Sequence, residues 1–260
     1  TQPTDRLLSV SDAGFLGLLL GASLVAFASD VMTSALYPNL AAHLGVPLET
    51  VVLLTTPRAL AQLGILALGP LSDRVGRGNV LAGGVFLIAA GAWGAALARS
   101  LAAMVAIQMG FGLGLAVATA GAPALIGDRY PYAVRGQALG IVRLAMPLTL
   151  IAAAPSLVAL AARQGVIASY VALGTAATLL FLLIAWRLPR HAGRPVAEAL
   201  AGALPIKSRA RPRVVLLLAL SLAVGMVPAA IFGFLSAWVS GTFGDPACNI
   251  GLALTGDGLG

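Results

Sequence analysis

Three ionisable residues stand well inside long apolar stretches of this 260-residue chain: Asp30, Arg58 and Arg143. A charge in hydrocarbon is costly, so such residues are expected to pair, to face a watery cavity, or both. The chemistry open to them is recognition of a charged group or movement of a proton. Bond-making chemistry has no visible constellation. The sequence contains no HExxH, no GxSxG and no histidine within an apolar run, and a lone carboxylate is not an acid–base pair. Asp30 and Arg58 fall at matched depth, roughly 12–15 Å below the same membrane surface at 1.5 Å per residue. They are candidates for one pair, either a static link between two helices or a site of substrate or proton coupling. Arg143 lies about seven residues from the start of its stretch, a position that suits either snorkelling to the surface or lining a cavity.

The elements that carry these residues read as membrane-spanning helices. Hydrophobic residues make up 59% of the chain and charged residues 10%, with a mean hydropathy of +0.97. Soluble domains carry about 25% charged residues. Complete spans are expected at approximately 13–40, 50–71, 79–98, 101–127, 136–161, 166–187 and 214–239, with an eighth opening near 250; each is long enough to cross a bilayer as a helix. The alternating segments of about ten residues that mark a β-barrel are missing. The expected class is therefore an all-α membrane protein. The first apolar run is too long for a secretory signal peptide. Cys248 is the only cysteine, and His43 and His191 lie in expected loops far apart. No disulfide within the chain, no metal site and no other cofactor is expected, and no GxxxxGK[ST] loop points to a nucleotide.

The net charge of +7 follows topology and does not call for a nucleic acid. With the N-terminus in the cytoplasm, Arg6, Arg74, Arg77, Arg129, Arg135, Arg187, Arg190, Arg194, Lys207, Arg209, Arg211 and Arg213 lie inside, and only Arg99 and Arg163 outside. That asymmetry is the positive-inside pattern. The basic run from Lys207 to Arg213 is an orientation signal that also suits contact with anionic lipid.

Between the second and third stretches runs Gly69-Pro70-Leu71-Ser72-Asp73-Arg74-Val75-Gly76-Arg77. Two glycines permit a tight turn, Asp73 can cap the following helix or pair with an arginine, and the arginines hold the inner face. The pattern G-x-L-x-D-R-x-G-R resembles the signature loop between helices 2 and 3 of major facilitator superfamily transporters. Asp128-Arg129-Tyr130-Pro131 followed by Arg135-Gly136-Gln137-Ala138 looks like that family's connection between helices 4 and 5. Departures accompany the match. Gly78 and Asn79 replace the second basic residue expected after Arg77, and Ala106 stands where the family often has an arginine. The glycine-rich signature of drug antiporters in span 5 is absent around Pro147 and Pro155.

The resemblance implies a six-helix bundle of inverted three-helix repeats over residues 1–187, a cytoplasmic linker over 188–213, and the start of a second bundle over 214–260;. It implies that Gly69, Asp73, Arg74, Gly76 and Arg77 form a conformational-switch loop. It implies a secondary active transporter of a small solute working by alternating access in a bacterial-type inner (plasma) membrane, with protons as a candidate coupling ion. The alternative is a transporter-like protein that senses or scaffolds. The missing C-terminal half of the same protein is the partner expected to complete the cavity. Gly110, Gly114 and Ala118 in span 4, and Gly17 and Gly21 in span 1, are spaced for close helix packing;.

Overall fold

The computed structural model describes residues 10–64, 76–188 and 220. Apolar composition on every face makes long helices the only open arrangement that satisfies its own backbone in lipid, and the described residues are helical almost throughout. In chain order the helices are α1 (Val10–Ala35), α2 (Tyr37–Leu44), α3 (Leu48–Val52), α4 (Thr55–Gln62), α5 (Arg77–Leu97), α6 (Leu101–Arg129), α7 (Tyr132–Arg143), α8 (Ala145–Leu148), a π-helical turn (Thr149–Ala153), α9 (Ala154–Gln164) and α10 (Val166–Arg187). Five stretches are long and apolar enough to cross a membrane: Asp12–Ala35, Arg77–Leu97, Leu101–Arg129, Tyr132–Gln164 and Val166–Arg187. The pair Tyr37–Leu44 and Leu48–Gln62, bent by 115°, makes a sixth if counted as one span.

The breaks have identifiable causes. Gly45 sits at φ 66°, a left-handed conformation that closes α2 and reverses the chain;. Pro57 lacks the N–H that would bond the carbonyl of Leu53, and α3 stops from α4 at Leu53 and Leu54. The expected single helix over 50–71 is thus two pieces up to Gln62, and residues 65–75 lie outside the described residues. Span 1 also differs from the expected 13–40. Its main helix ends at Ala35, and α2 continues the run past Pro38. In the fifth span, Pro155 removes the donor for the carbonyl of Ile151. The chain answers one turn earlier with a π turn, closed by the Ala154 N–H to the Thr149 carbonyl;.

Small residues set the packing. Cβ atoms at Gly84 and Gly114 would meet each other's carbonyls, at 3.2 and 2.8 Å, so α5 and α6 cross almost backbone to backbone. Gly112 faces α4, where a methyl would overlap the Arg58 carbonyl. Gly110 has open space around it, so the close-approach face of α6 carries Gly112 and Gly114 and leaves Gly110 aside. Gly17 is likewise open, whereas Gly21 packs on Leu180. Helix α1 is the shared member, touching α2, α5, α6, α7, α8, α9, α10 and the π turn. Apart from residues 188 and 220, the expected linker and the helices after it lie outside the described residues, as do Gly69, Asp73 and Arg74 of the signature loop.

Candidate functional site

The expected intramembrane charges come together. Arg58 on α4 reaches across to α1, its Nη2 3.0 Å from Asp30 Oδ1. Its Nη1 donates to the Ser29 carbonyl at 3.3 Å and to Gln108 Oε1 of α6 at 3.2 Å. The guanidinium carbon lies 5.8 Å from the centre of the Phe111 ring. Arg58 is 5% exposed and Gln108 0%, whereas the Asp30 side chain is 46% exposed. The cation is therefore sunk in the bundle and the carboxylate is half exposed at its surface. A half-exposed carboxylate on a membrane helix has to meet water, a partner bundle or a counter-ion rather than acyl chains.

Around this pair the sequence supplies short polar side chains on adjoining helices. Thr33 Oγ1 donates to the Ser29 carbonyl at 2.8 Å, so Thr33 and Arg58 share one acceptor. The fully buried Tyr170 of α10 turns its hydroxyl toward Thr33 without completing a hydrogen bond. Arg58 Nε and Nη2, Gln108 Nε2 and the Tyr170 hydroxyl are buried with no hydrogen-bond partner among the described residues. Asp30 and Arg58 Nη2 are thus close as charges, yet the N–H is not aimed at the oxygen. Gln108 and Tyr170 were not singled out in the sequence. The usable signal was an amide within the otherwise apolar run of span 4.

Depth can be read from the helices themselves. Gln108 is seven residues from the start of α6, about 10 Å at 1.5 Å per residue. Tyr170 is four residues from the start of α10. The cluster therefore occupies the third of the bundle nearest the Ser100 and Gly165 turns, somewhat shallower than the sequence suggested. The reason is the break at Leu36, which shortens α1. Arg143 stands apart. It is exposed at the end of α7, and Thr149, six residues beyond it, donates to the Leu24 carbonyl of α1 at 3.4 Å. That places Arg143 on the order of 18 Å below Asp30 along the bundle.

The opposite end carries a second charged layer. Gly76, at φ 96°, turns the chain into α5. Arg77 then pairs with Asp128 at 2.7 Å and donates to the Ala124 carbonyl at 3.3 Å. Asp12 of α1 receives Arg129 at 3.4 Å and the Tyr130 hydroxyl at 3.2 Å, and Arg129 lies 4.5 Å above the Phe15 ring. Burial first, then the Asp12 carboxylate, pushes the Tyr130 hydroxyl above its ordinary range, so it stays a neutral donor;. Arg135 Nε donates to the Tyr130 carbonyl at 2.8 Å. Among the described residues, Arg77, Arg129, Arg135 and Arg187 gather at this end, and Arg99 and Arg163 at the other.

A bundle of long apolar helices with a buried charge cluster and a basic end is the architecture of a multi-pass membrane protein. The profile of the Major Facilitator Superfamily matches residues 18–256, and the chain belongs to that family. Among solved structures it is similar to the peptide transporter POT in complex with sulfate, with a TM-score of 0.61 and 18% identity over 84% of this chain and 46% of that one. It is also similar to the POT family transporter PepTSo, with a TM-score of 0.54 and 17% identity over 92% of this chain and 53% of that one. At these identities the likeness shows the fold. The chain spans about half the length of these structures. Among curated protein sequences none matches.

Proposed function

We propose that this chain forms the first bundle of a secondary active carrier that moves a small solute by alternating access, with Asp30 and Arg58 as its coupling site. The observation that carries the reading is the asymmetry of the pair: a buried guanidinium 3.0 Å from a half-exposed carboxylate. A purely structural link would be served by an equally buried pair, whose desolvation is compensated on both sides. A half-exposed carboxylate can exchange protons with water and release or retain the arginine beside it. The basic asymmetry orients the N-terminus and the Arg77 end toward the cytoplasm, and a plasma membrane is the setting this family role suits. Arg77 and Gly76, with Gly69, Asp73 and Arg74, act as the loop that rebalances inward and outward states. Arg143 is a second candidate cavity residue at a lower level.

The test is reconstitution of the full-length protein in liposomes containing a pH-sensitive dye. A panel of organic acids, amines and neutral solutes is then added outside. Solute-evoked proton movement that disappears in Asp30→Asn is the expected result. Solute flux unchanged by that substitution would remove Asp30 from coupling. Absence of flux with every solute would favour a sensing or scaffold role.

A further inference from the structure

The carrier reading leaves the cargo open, and the hydrogen bonds of Arg58 narrow it. A guanidinium has one edge, Nε with Nη2, that presents two parallel N–H groups and takes a carboxylate in bidentate fashion. In this bundle Arg58 is anchored through the other nitrogen, Nη1, to Ser29 and Gln108. The edge made of Nε and Nη2 is the part without a hydrogen-bond partner among the described residues. Gln108 Nε2, on the side chain that anchors Nη1, and the Tyr170 hydroxyl are likewise buried without a partner among the described residues. All four atoms are donors. Orphaned buried donors are rare and each costs free energy until an acceptor arrives. A group that satisfies them must be rich in acceptor oxygens, planar and negatively charged.

We infer that the cluster is the binding site for the carboxylate of a small organic acid, which takes the place of Asp30 on the Nε–Nη2 edge of Arg58. The inference rests on the carrier reading and names its substrate class. Charge then fixes the stoichiometry. The charged and titratable groups around the site are Arg58 on α4, Asp30 on α1, Tyr37 on α2 and Tyr170 on α10, with Arg143 about 18 Å away along the bundle;. Arg58 is the one cation of the cluster, so the cluster accommodates one anion. When a proton from water binds Asp30, its carboxylate becomes a neutral acid and the cargo carboxylate becomes the single counter-ion of Arg58. When the cargo leaves, the proton returns to water and Asp30 resumes its place. One proton thus travels with one carboxylate, and a monocarboxylate crosses without net charge movement.

The experiment uses the full-length protein, purified and then reconstituted. Acetate, benzoate and hippurate are compared with acetamide, benzamide and tetraethylammonium by thermal-shift titration at acidic and neutral pH. The acids are expected to raise Tm, more strongly at acidic pH, and the amides and the ammonium ion to leave it unchanged. Tyr170→Phe should weaken acid binding by about tenfold, the loss of one hydrogen bond to a charged group. Arg58→Lys keeps the charge and removes the fork, and should erase the preference for acid over amide. If Arg58→Lys fails to fold, Tyr170→Phe, which removes one orphan donor and leaves the anchors of Arg58 in place, decides the matter alone. In liposomes, acid uptake should follow an imposed pH gradient and ignore an imposed potassium diffusion potential. Stabilisation by amides or by tetraethylammonium equal to that by acids would overturn the inference, as would uptake that follows the potential. Flux of amines or neutral solutes with none of the acids would leave the carrier standing and sink the carboxylate site. Acid binding without flux would do the reverse.

Discussion

Arg58 is held from one side, and that determines how substitutions around it should behave. Asp30→Asn leaves a guanidinium buried without its counter-charge, a loss of up to about 3 kcal/mol in folded-state stability. Asp30→Asn combined with Arg58→Gln should recover most of that loss in a thermal melt, yet leave transport absent. Recovery of transport by the double variant would assign the pair to structure alone. Gly112 allows a separate check. An added methyl overlaps the Arg58 carbonyl, so Gly112→Ala should destabilise by about 3 kcal/mol, the upper part of the overpacking range. Gly110→Ala, with open space at the same helix, should be neutral or slightly stabilising. Equal effects of the two would contradict the α4–α6 crossing. Asp30 and Arg58 were legible in the sequence because a charge in an apolar run has few tolerable explanations. Gln108 and Tyr170 were not, because uncharged polar residues are cheap enough to be common in membrane helices. Their partners come from other helices, which spacing along one helix cannot reveal.

At the scale of elements, the five long spans among the described residues were readable, since hydropathy measures what the bilayer measures. The internal breaks were less so. Prolines within the spans carry the same local signal, yet only the packed structure shows which of them stops a helix and which is absorbed. Pro123 stays inside a continuous α6, whereas Pro155 goes with a π turn. That turn brings Thr149 to the Leu24 carbonyl. Pro155→Ala restores the missing donor and should let the span rewind as regular α-helix. Cysteines placed at positions 24 and 149 should then cross-link less efficiently than with Pro155 present. Undiminished cross-linking would show that the turn does not depend on the proline. The Arg77–Asp128 pair at 2.7 Å belongs to the same scale, because it ties the start of α5 to the end of α6. Arg77→Gln and Asp128→Asn should each slow transport without lowering expression, and together should do no worse than either alone. Additive losses would mean that the two act independently.

For the whole molecule, the basic asymmetry predicts a sidedness that can be read in intact cells. Cysteine at position 200, in a Cys248→Ser background, should resist a membrane-impermeant thiol reagent added outside, and native Cys248 should react. Labelling at position 200 from outside would invert the topology. That the chain is a bundle of apolar helices was legible because apolar runs are counted along the sequence. How the helices share neighbours was not. Helix α1 touches nearly every other described element and has a charged contact at each end, Asp12 with Arg129 and Asp30 with Arg58. Eighteen residues of continuous helix separate those aspartates, about 27 Å of nearly incompressible rod. A shift imposed at one aspartate must therefore be felt at the other. The consequence is genetic. In a selection for revertants of Asp30→Glu, a change that lengthens the side chain and keeps its charge, compensating substitutions should recur at Asp12, Arg129 and Tyr130, at the far end of the same rod.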